Sequence, residues 1–274
     1  MELLRQPTPL ADAVAKLDAR EPVTSVLNSA EWAQMPVALR ERALFSAGVD
    51  WADFLTAQKA KLLDALSLRK EQVARGEAYV DRSSFIGDLR KLVIAVGKSD
   101  GSGGLKDLAS RARLGLIYDI QTQSAIGHTR WKFEQRPAVL AAFPAQELLR
   151  STARAPRGDW ESRWTDLGGQ IFNGRMIALK TDPLWASLSR FGVPWPPFDF
   201  GSRRQLRDVD RAEAEQLGLI GPDDDLAPIE MDFNAGLASS AEIADPDVRA
   251  GLTDLFGAQI AFDGAKARWT GRAA

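Results

Sequence analysis

A single imidazole, His128, and the absence of cysteine limit the catalysis available to this chain of 274 residues. Without a thiol there is no disulfide and no thiolate metal ligand. Any histidine-based metal site or Ser–His pair would have to run through His128. His128 follows Gly127 near the end of an expected helix, where a cation meets a favourable field, so a surface or capping role accounts for it. As a general base it would want a positioned carboxylate and a nucleophile, and its sequence neighbours supply no such pair. The one ionisable set that would make a hydrolase or transferase pocket is His128 with Arg157, Asp159 and Glu161. Gly97-Lys98-Ser99 matches the tail of a phosphate-binding loop, yet Leu92 stands where that motif needs its first glycine. Asp223-Asp224-Asp225 are consecutive, whereas calcium loops alternate their ligands and carry a glycine, so a solvated turn is expected. Neither a metal nor a cofactor is expected, and no catalytic residue is assigned.

A denser signal comes from arginine, tryptophan and proline. Arg154, Arg157 and Arg163 are interleaved with Trp160 and Trp164, which are four apart and share a face on a helix. Arginine and tryptophan are the types most often found at interface hot spots. They also pack core edges, with a guanidinium stacked on an indole. Trp185 then leads into RFGVPWPPFDFGS, Arg190–Ser202, with three prolines and four aromatic residues. Pro194, Pro196 and Pro197 forbid a helix or a central strand, and Gly192 and Gly201 bracket the segment. The candidate anchor or partner-binding set is therefore Arg157, Trp160, Arg163, Trp164, Trp185, Trp195, Pro196, Pro197, Phe198 and Phe200.

The elements that would position this set are mostly helical. Residues 1–21 read as a proline-bearing arm, frayed or tethered to a partner, leading into a short helix at Leu10–Leu17. Residues 29–72 are strongly helical, with Ser29 as a fair N-cap and Trp51, Phe54, Leu55, Leu62 and Leu66 as one apolar stripe. Residues 73–95 carry two shorter elements, and Val96–Gly104 is a Gly/Ser-rich break. Residues 105–135 predict one long helix whose face runs through Leu105, Leu108, Ala112, Leu116, Ile120 and Ile126. Residues 137–151 predict a short helix broken by Pro144. Asn173-Gly174 between Ile171-Phe172 and Met176–Leu179 predicts a tight hairpin. Glu213, Ala214 and Leu217 suggest a helix stopped by Gly218. The tail, 257–274, predicts a last helix or strand with a basic end.

The fold expected is α+β and mostly α, with a helical N-terminal half and a compact second domain holding a small β-hairpin. The divisions are 1–95, a loop at 96–104, a domain at 105–220 and an extension at 221–274. The composition is that of a globular protein: 45% hydrophobic, 26% charged, net charge −2. That balance is unlike a generic nucleic-acid binder. Locally, 82–113 carries seven basic residues against three acidic, and 208–232 carries nine carboxylates against Arg211. No apolar run suffices for a membrane span. MELLRQPTPLADAVAKL lacks a signal peptide's basic start and apolar core, which predicts a protein made and used in a cytoplasm.

Four stretches, in order, resemble the phage head morphogenesis proteins, the minor head proteins similar to protein F of phage Mu. They are RERALFSAGVDWADFLTAQKAKLLDAL (40–66), RLGLIYDIQTQSAIGHTRW (113–131), FPAQELLR (143–150) and PRGDWESRWTDLGGQIFNGRMIALKTDPLWASLSRFGVPWPPFDFGS (156–202). Many members carry a His-Pro-Pro-Cys-x-Cys-like segment. The matching stretch here has Trp195 in place of the histidine and Phe198 and Phe200 in place of the cysteines, with the prolines kept. The resemblance implies a non-enzymatic capsid-building component of a virion or phage-like particle head, assembled in the host cytoplasm. Its implied partners are the portal and the major capsid or scaffold proteins, with packaged DNA as a further partner of some members; the 82–113 patch is where such a contact would fall. The resemblance supplies no catalytic residue. Trp195, Phe198 and Phe200 are expected to pack against the domain near Trp160 and Trp164.

Overall fold

The computed structural model describes residues 10–35, 37–75, 82–150, 159–202, 204–229, 238–242, 246, 249–250, 253, 260–264 and 266–269. The N-terminal arm before Leu10, Arg154 and Arg157 lie outside the described residues, as does part of the tail. The protein is α+β and mostly helical. It divides into two units, one of residues 15–118 and 231–274, the other of residues 1–14 and 119–230. The divisions cut two helices, α1 (Leu10–Asp18) and α6 (Arg111–Glu134).

In the first of these units four members of the apolar stripe read from the sequence, Phe54, Leu55, Leu62 and Leu66, are buried on the inner face of α4 (Ala52–Arg75), while Trp51 lies just before the helix and is half-buried. Phe85, Leu89 and Val93 of α5 (Arg82–Ala95) are buried at helical spacing as well. The region before α4 is not continuous helix. It holds β1 (Glu21–Val23), α2 (Ser29–Ala33), α3 (Val37–Arg42) and β2 (Ala43–Phe45), and β1 pairs with β2 in parallel. Asn28, not Ser29, caps α2: its side chain accepts from the Ala30 and Glu31 N–H groups while Glu31 accepts from the Asn28 N–H.

Two buried charges fix this region. Glu41 faces Arg20 at 3.2 Å and Lys16 at 3.1 Å. Burial pushes its carboxyl up, but the two cations outweigh burial and leave it below the ordinary range. Arg113 donates to the Leu105 and Lys106 carbonyls at 3.2 and 3.1 Å, and to Ser46 Oγ and the Ala47 carbonyl.

The helix expected from residue 105 begins only at Arg111. Asp107 accepts from Ser99 Oγ and from the Gly103 and Ala109 N–H groups, which holds 99–109 as a looped turn, and Ser110 Oγ receives the Ala112 N–H. The expected face is corrected accordingly: Leu105 is 60% exposed and Ala112 is exposed, while Leu114 and Ala125 are buried. The described part of the tail is strand. β7 (Ala238–Glu242), β8 (Ile260–Asp263) and β9 (Lys266–Trp269) form an antiparallel sheet in the order β7-β9-β8.

The other unit is built on a four-stranded antiparallel sheet in the order β4-β5-β3-β6. After α7 (Pro137–Ala142), Pro144 ends the helix and Ala145–Arg150 becomes the inner strand β3. β3 pairs with β5 (Arg175–Leu179) on one side and β6 (Arg204–Val209) on the other. The expected hairpin joins β4 (Ile171–Phe172) to β5, with Asn173 and Gly174 at positive φ. Residues alternate between the sheet's faces. Leu148, Met176 and Ala178 pack on α8 (Trp160–Asp166) and α9 (Leu184–Leu188), while Ala145, Ile177 and Val209 pack on α10 (Arg211–Gln216) and Ile220. Gly218, at φ 70°, stops α10.

Charges cross both edges of β3. Lys180 is 1% exposed and sits 2.7 Å from Asp208 and 4.0 Å from Glu134, and Arg130 of α6 contacts both carboxylates. Glu147 of β3 accepts from Arg175 and from Arg207. Desolvation pushes the Glu147 carboxyl up, and the two guanidiniums more than offset it, leaving it below its usual range. A carboxylate so depressed adds stability above its unfolded value of about 4.3 that is lost as pH falls through the folded value. Urea unfolding followed by circular dichroism from pH 7 to pH 3 is expected to show part of its acid sensitivity vanish in Glu147→Gln. The same variant is expected to be about 2 kcal/mol less stable at pH 7, because two arginines face a neutral amide.

Candidate functional site

The loop Arg190–Ser202 is held by its own backbone and by α6. The Arg190 N–H donates to the Phe198 carbonyl at 2.8 Å, and the Ser202 N–H to the Asp199 carbonyl at 3.2 Å. Gly192 and Gly201 take φ of 71° and 63°, which an L side chain resists. The Pro196–Pro197 peptide is cis. Between these ends Val193, Pro194, Trp195, Pro197 and Phe198 are buried, and Pro196 and Phe200 are half-buried.

Trp195 enters against α6. Its ring meets His128 edge-on at 4.9 Å and Trp131 at 5.2 Å, and its indole N–H reaches Ser124 Oγ at 3.5 Å. This approach depends on Gly127, where a Cβ would lie 2.2 Å from the Pro196 carbonyl oxygen. His128 is therefore one ring of an aromatic cluster.

Phe198 enters a different cluster, with Trp160, Trp164, Trp185, Leu184 and Leu188 over the sheet. Trp164 and Trp185 meet edge-to-face at 5.2 Å and 67°. Buried indoles need a partner for the N–H; Trp164 donates to the Gln170 carbonyl and Trp185 to the Leu179 carbonyl, each at 2.8 Å. Gly169 lets the chain pass the Trp164 ring, since a Cβ there would lie 2.4 Å from the indole nitrogen.

Where the loop reaches the surface, charges and rings alternate. Asp199 lies 3.3 Å from Arg163 and 3.7 Å from Arg190, and it accepts the Phe200 N–H. Arg163 and Arg204 both stack on Trp160, and Arg190 stacks on Phe200, which meets Phe191 edge-on at 5.1 Å. The rim is an arginine–aromatic face suited to anionic or aromatic groups of a partner, and the buried rings beneath it make it rigid.

Trp160, Arg163, Trp164, Trp185, Trp195, Pro196, Pro197, Phe198 and Phe200 are thus gathered about one loop, although Trp195 and Phe198 belong to separate clusters. Arg157 lies outside the described residues. Arg190 and Asp199 of the same loop join the set through their ion pair and through Arg163, a role their sequence positions do not signal. Arg204 reaches Trp160 through the pairing of β6, which sequence spacing does not encode.

The residues of the pocket reading do other work. Asp159 caps α8, accepting the Ser162 N–H and hydroxyl, and these bonds hold its carboxyl below the usual range. Glu161 is exposed on that helix. Within the 82–113 patch, Arg113 is buried and Lys98 sits over Trp51, while Arg90, Lys91, Lys106 and Arg111 are exposed. Part of the acidic run is engaged internally: Asp208 pairs with Lys180, Glu213 with Arg175, and Glu215 with Arg211. Among the described residues no group of three His, Asp or Glu side chains is arranged to hold a metal ion. Nor is any helix of the described residues long and apolar enough to cross a membrane.

Protein-family models, curated proteins and solved structures yield no match to this chain. Gly127→Ala is expected to drive a methyl group into the Pro196 carbonyl and lower stability by about 1–3 kcal/mol. The measure is a thermal or urea transition followed by tryptophan fluorescence, which also reports loosening around Trp195.

Proposed function

We propose that this chain is a non-enzymatic minor head protein of a tailed phage, a prophage or a related particle. It acts in the particle head and is assembled there from the host cytoplasm, with the portal and the capsid or scaffold proteins as partners. The observation that carries the reading is the ordered series of segments resembling the Mu F-like minor head proteins, ending in the Trp195–Phe200 stretch. The described parts of 113–131, 143–150 and 156–202 supply α6, β3, α8, the β4–β5 hairpin, α9 and the loop. They are the elements on which the aromatic clusters are built, so most of three of the four stretches falls on one packing unit, while 40–66 belongs to the other unit.

Two physical features agree with an assembly role. The family's polar positions in the loop are taken by Trp195, which is buried, by Phe198, which is buried, and by Phe200, which is half-buried. A loop so filled holds a fold, and its arginine–aromatic rim offers the residue types that dominate protein interfaces. Of the four residues of the hydrolase or transferase reading, His128 serves an aromatic cluster and Asp159 a helix cap.

Co-expression with the portal, scaffold and capsid proteins of the parent particle is expected to give co-purification. Mass spectrometry of purified particles is expected to find it at a few copies per particle. A soluble monomer that ignores all three partners and is absent from particles would overturn the reading.

A further inference from the structure

Among the described residues six large apolar side chains are exposed, and three of them, Ile94, Val96 and Leu105, fall between positions 94 and 105. They are 53%, 49% and 60% exposed. Single exposed apolar residues are normal, whereas a group of them rimmed by polar residues marks an interaction site.

Two elements of one unit bring the three together. On α5, Ile94 lies four residues from Arg90 and three from Lys91, and all three are exposed, so they share its outer face. Past Val96 the chain stays on the end of that helix, where the Lys98 N–H donates to the Val93 carbonyl at 3.1 Å. It then folds back. Asp107 accepts from Ser99 Oγ at 3.0 Å and from the Gly103 N–H at 3.2 Å, which returns 105–107 to the side of 97–99. Arg113 holds the Leu105 and Lys106 carbonyls at 3.2 and 3.1 Å. Leu105 therefore meets solvent from a backbone that is tied down.

The charges of this face are one-sided. Arg90, Lys91, Lys98, Lys106 and Arg111 are exposed. Of the two carboxylates within 89–113, Asp107 is buried and turned to the loop's own donors, and Asp100 alone is exposed.

We propose that the outer face of α5 and the loop after it, centred on Ile94, Val96 and Leu105, dock an acidic amphipathic segment of a partner protein. Carboxylates of that segment meet the surrounding lysines and arginines, and its apolar side chains cover the three exposed ones. Duplex DNA fits less well, because phosphates match the charges and leave the apolar centre uncovered. A membrane surface also fits less well. Interfacial anchors present an apolar face along a whole helix, and here the exposed Asp100 stands in the loop itself. A second copy offers the acidic turn 223–225, but Leu226 beside it already packs on the core of its own sheet. The proposal concerns a surface remote in sequence from the loop at 190–202 and holds or fails without the head-protein reading.

The probe is a fluorescein-labelled peptide of glutamate and leucine at amphipathic helical spacing, titrated with the full chain at low salt and read by fluorescence anisotropy. Saturable binding is expected, weakened about tenfold by Leu105→Ser, by Ile94→Ser and by the pair Lys91→Gln and Lys106→Gln. It is expected to be unchanged by Leu167→Ser, an exposed apolar residue at the end of α8. The same peptide with serine for leucine is expected to bind at least about tenfold more weakly. Melting curves check that each variant folds; should Leu105→Ser unfold, Ile94→Ser and the lysine pair carry the test. Absence of saturable binding would overturn the proposal, as would binding that ignores these variants or treats the two peptides alike. So would duplex DNA, or vesicles of phosphatidylglycerol, displacing the peptide through the same residues at lower concentration. Self-association in sedimentation that is lost in Leu105→Ser would overturn the separate partner in favour of a second copy.

Discussion

The close approach of one backbone to another at Gly127 is the constraint on which the loop-centred unit depends. With no Cβ at that point, the Pro196 carbonyl lies against α6, and Trp195 can lodge beside His128 and Trp131. Once the Trp-Pro-Pro segment is fixed there, Phe198 is carried to the Trp164–Trp185 pair and Asp199 to the surface between two arginines. One missing methyl group therefore sets the register of a thirteen-residue loop against a helix that is distant in sequence. Close-packed interiors transmit such constraints because they have few voids to absorb an error.

The same close packing depends on the loop's prolines and rings. A loop with three prolines has already lost much of its freedom in the unfolded chain, so less entropy remains to be lost when it folds. Each buried indole whose N–H is matched adds apolar area without an orphaned donor. Packing makes the loop rigid, and the arginines above the rings inherit fixed positions. Such preorganisation lowers the entropic cost of any contact made there.

What the sequence disclosed was mainly local. The stripe on α4, the Asn173-Gly174 hairpin, the Gly218 stop and the shared face of Trp160 and Trp164 all rest on residues within a few positions of one another. The missed features are those whose partners lie far away. β1 and β2 are three residues each and hide inside a helix-rich stretch, and only their mutual pairing makes them strands. AQELLR has fair helix propensity, yet β5 and β6 claim it from both sides after Pro144 breaks the helix. Leu105 and Ala112 fit the helical period of α6, but Asp107 diverts the chain into a turn before that period can start. Of the candidate site, the aromatic members were legible from composition. Arg204 and the role of Gly127 were not, because each acts on a residue more than forty positions away.

The ring of Arg130, Glu134, Lys180 and Asp208, buried at Glu134 and Lys180 and half-buried at the other two, bears on how this protein can change. Two positive and two negative groups alternate around it, with Lys180 almost sealed from water. Removing a partner of the buried Glu134 or Lys180 leaves an unbalanced charge in a poorly solvated place, whereas replacing opposite members together with apolar residues need cost little. The four positions are thus epistatic: their effects on stability do not add, and a change at one becomes tolerable only in the background of another. Drift through this part of the fold must proceed in paired steps, so its neutral routes are few.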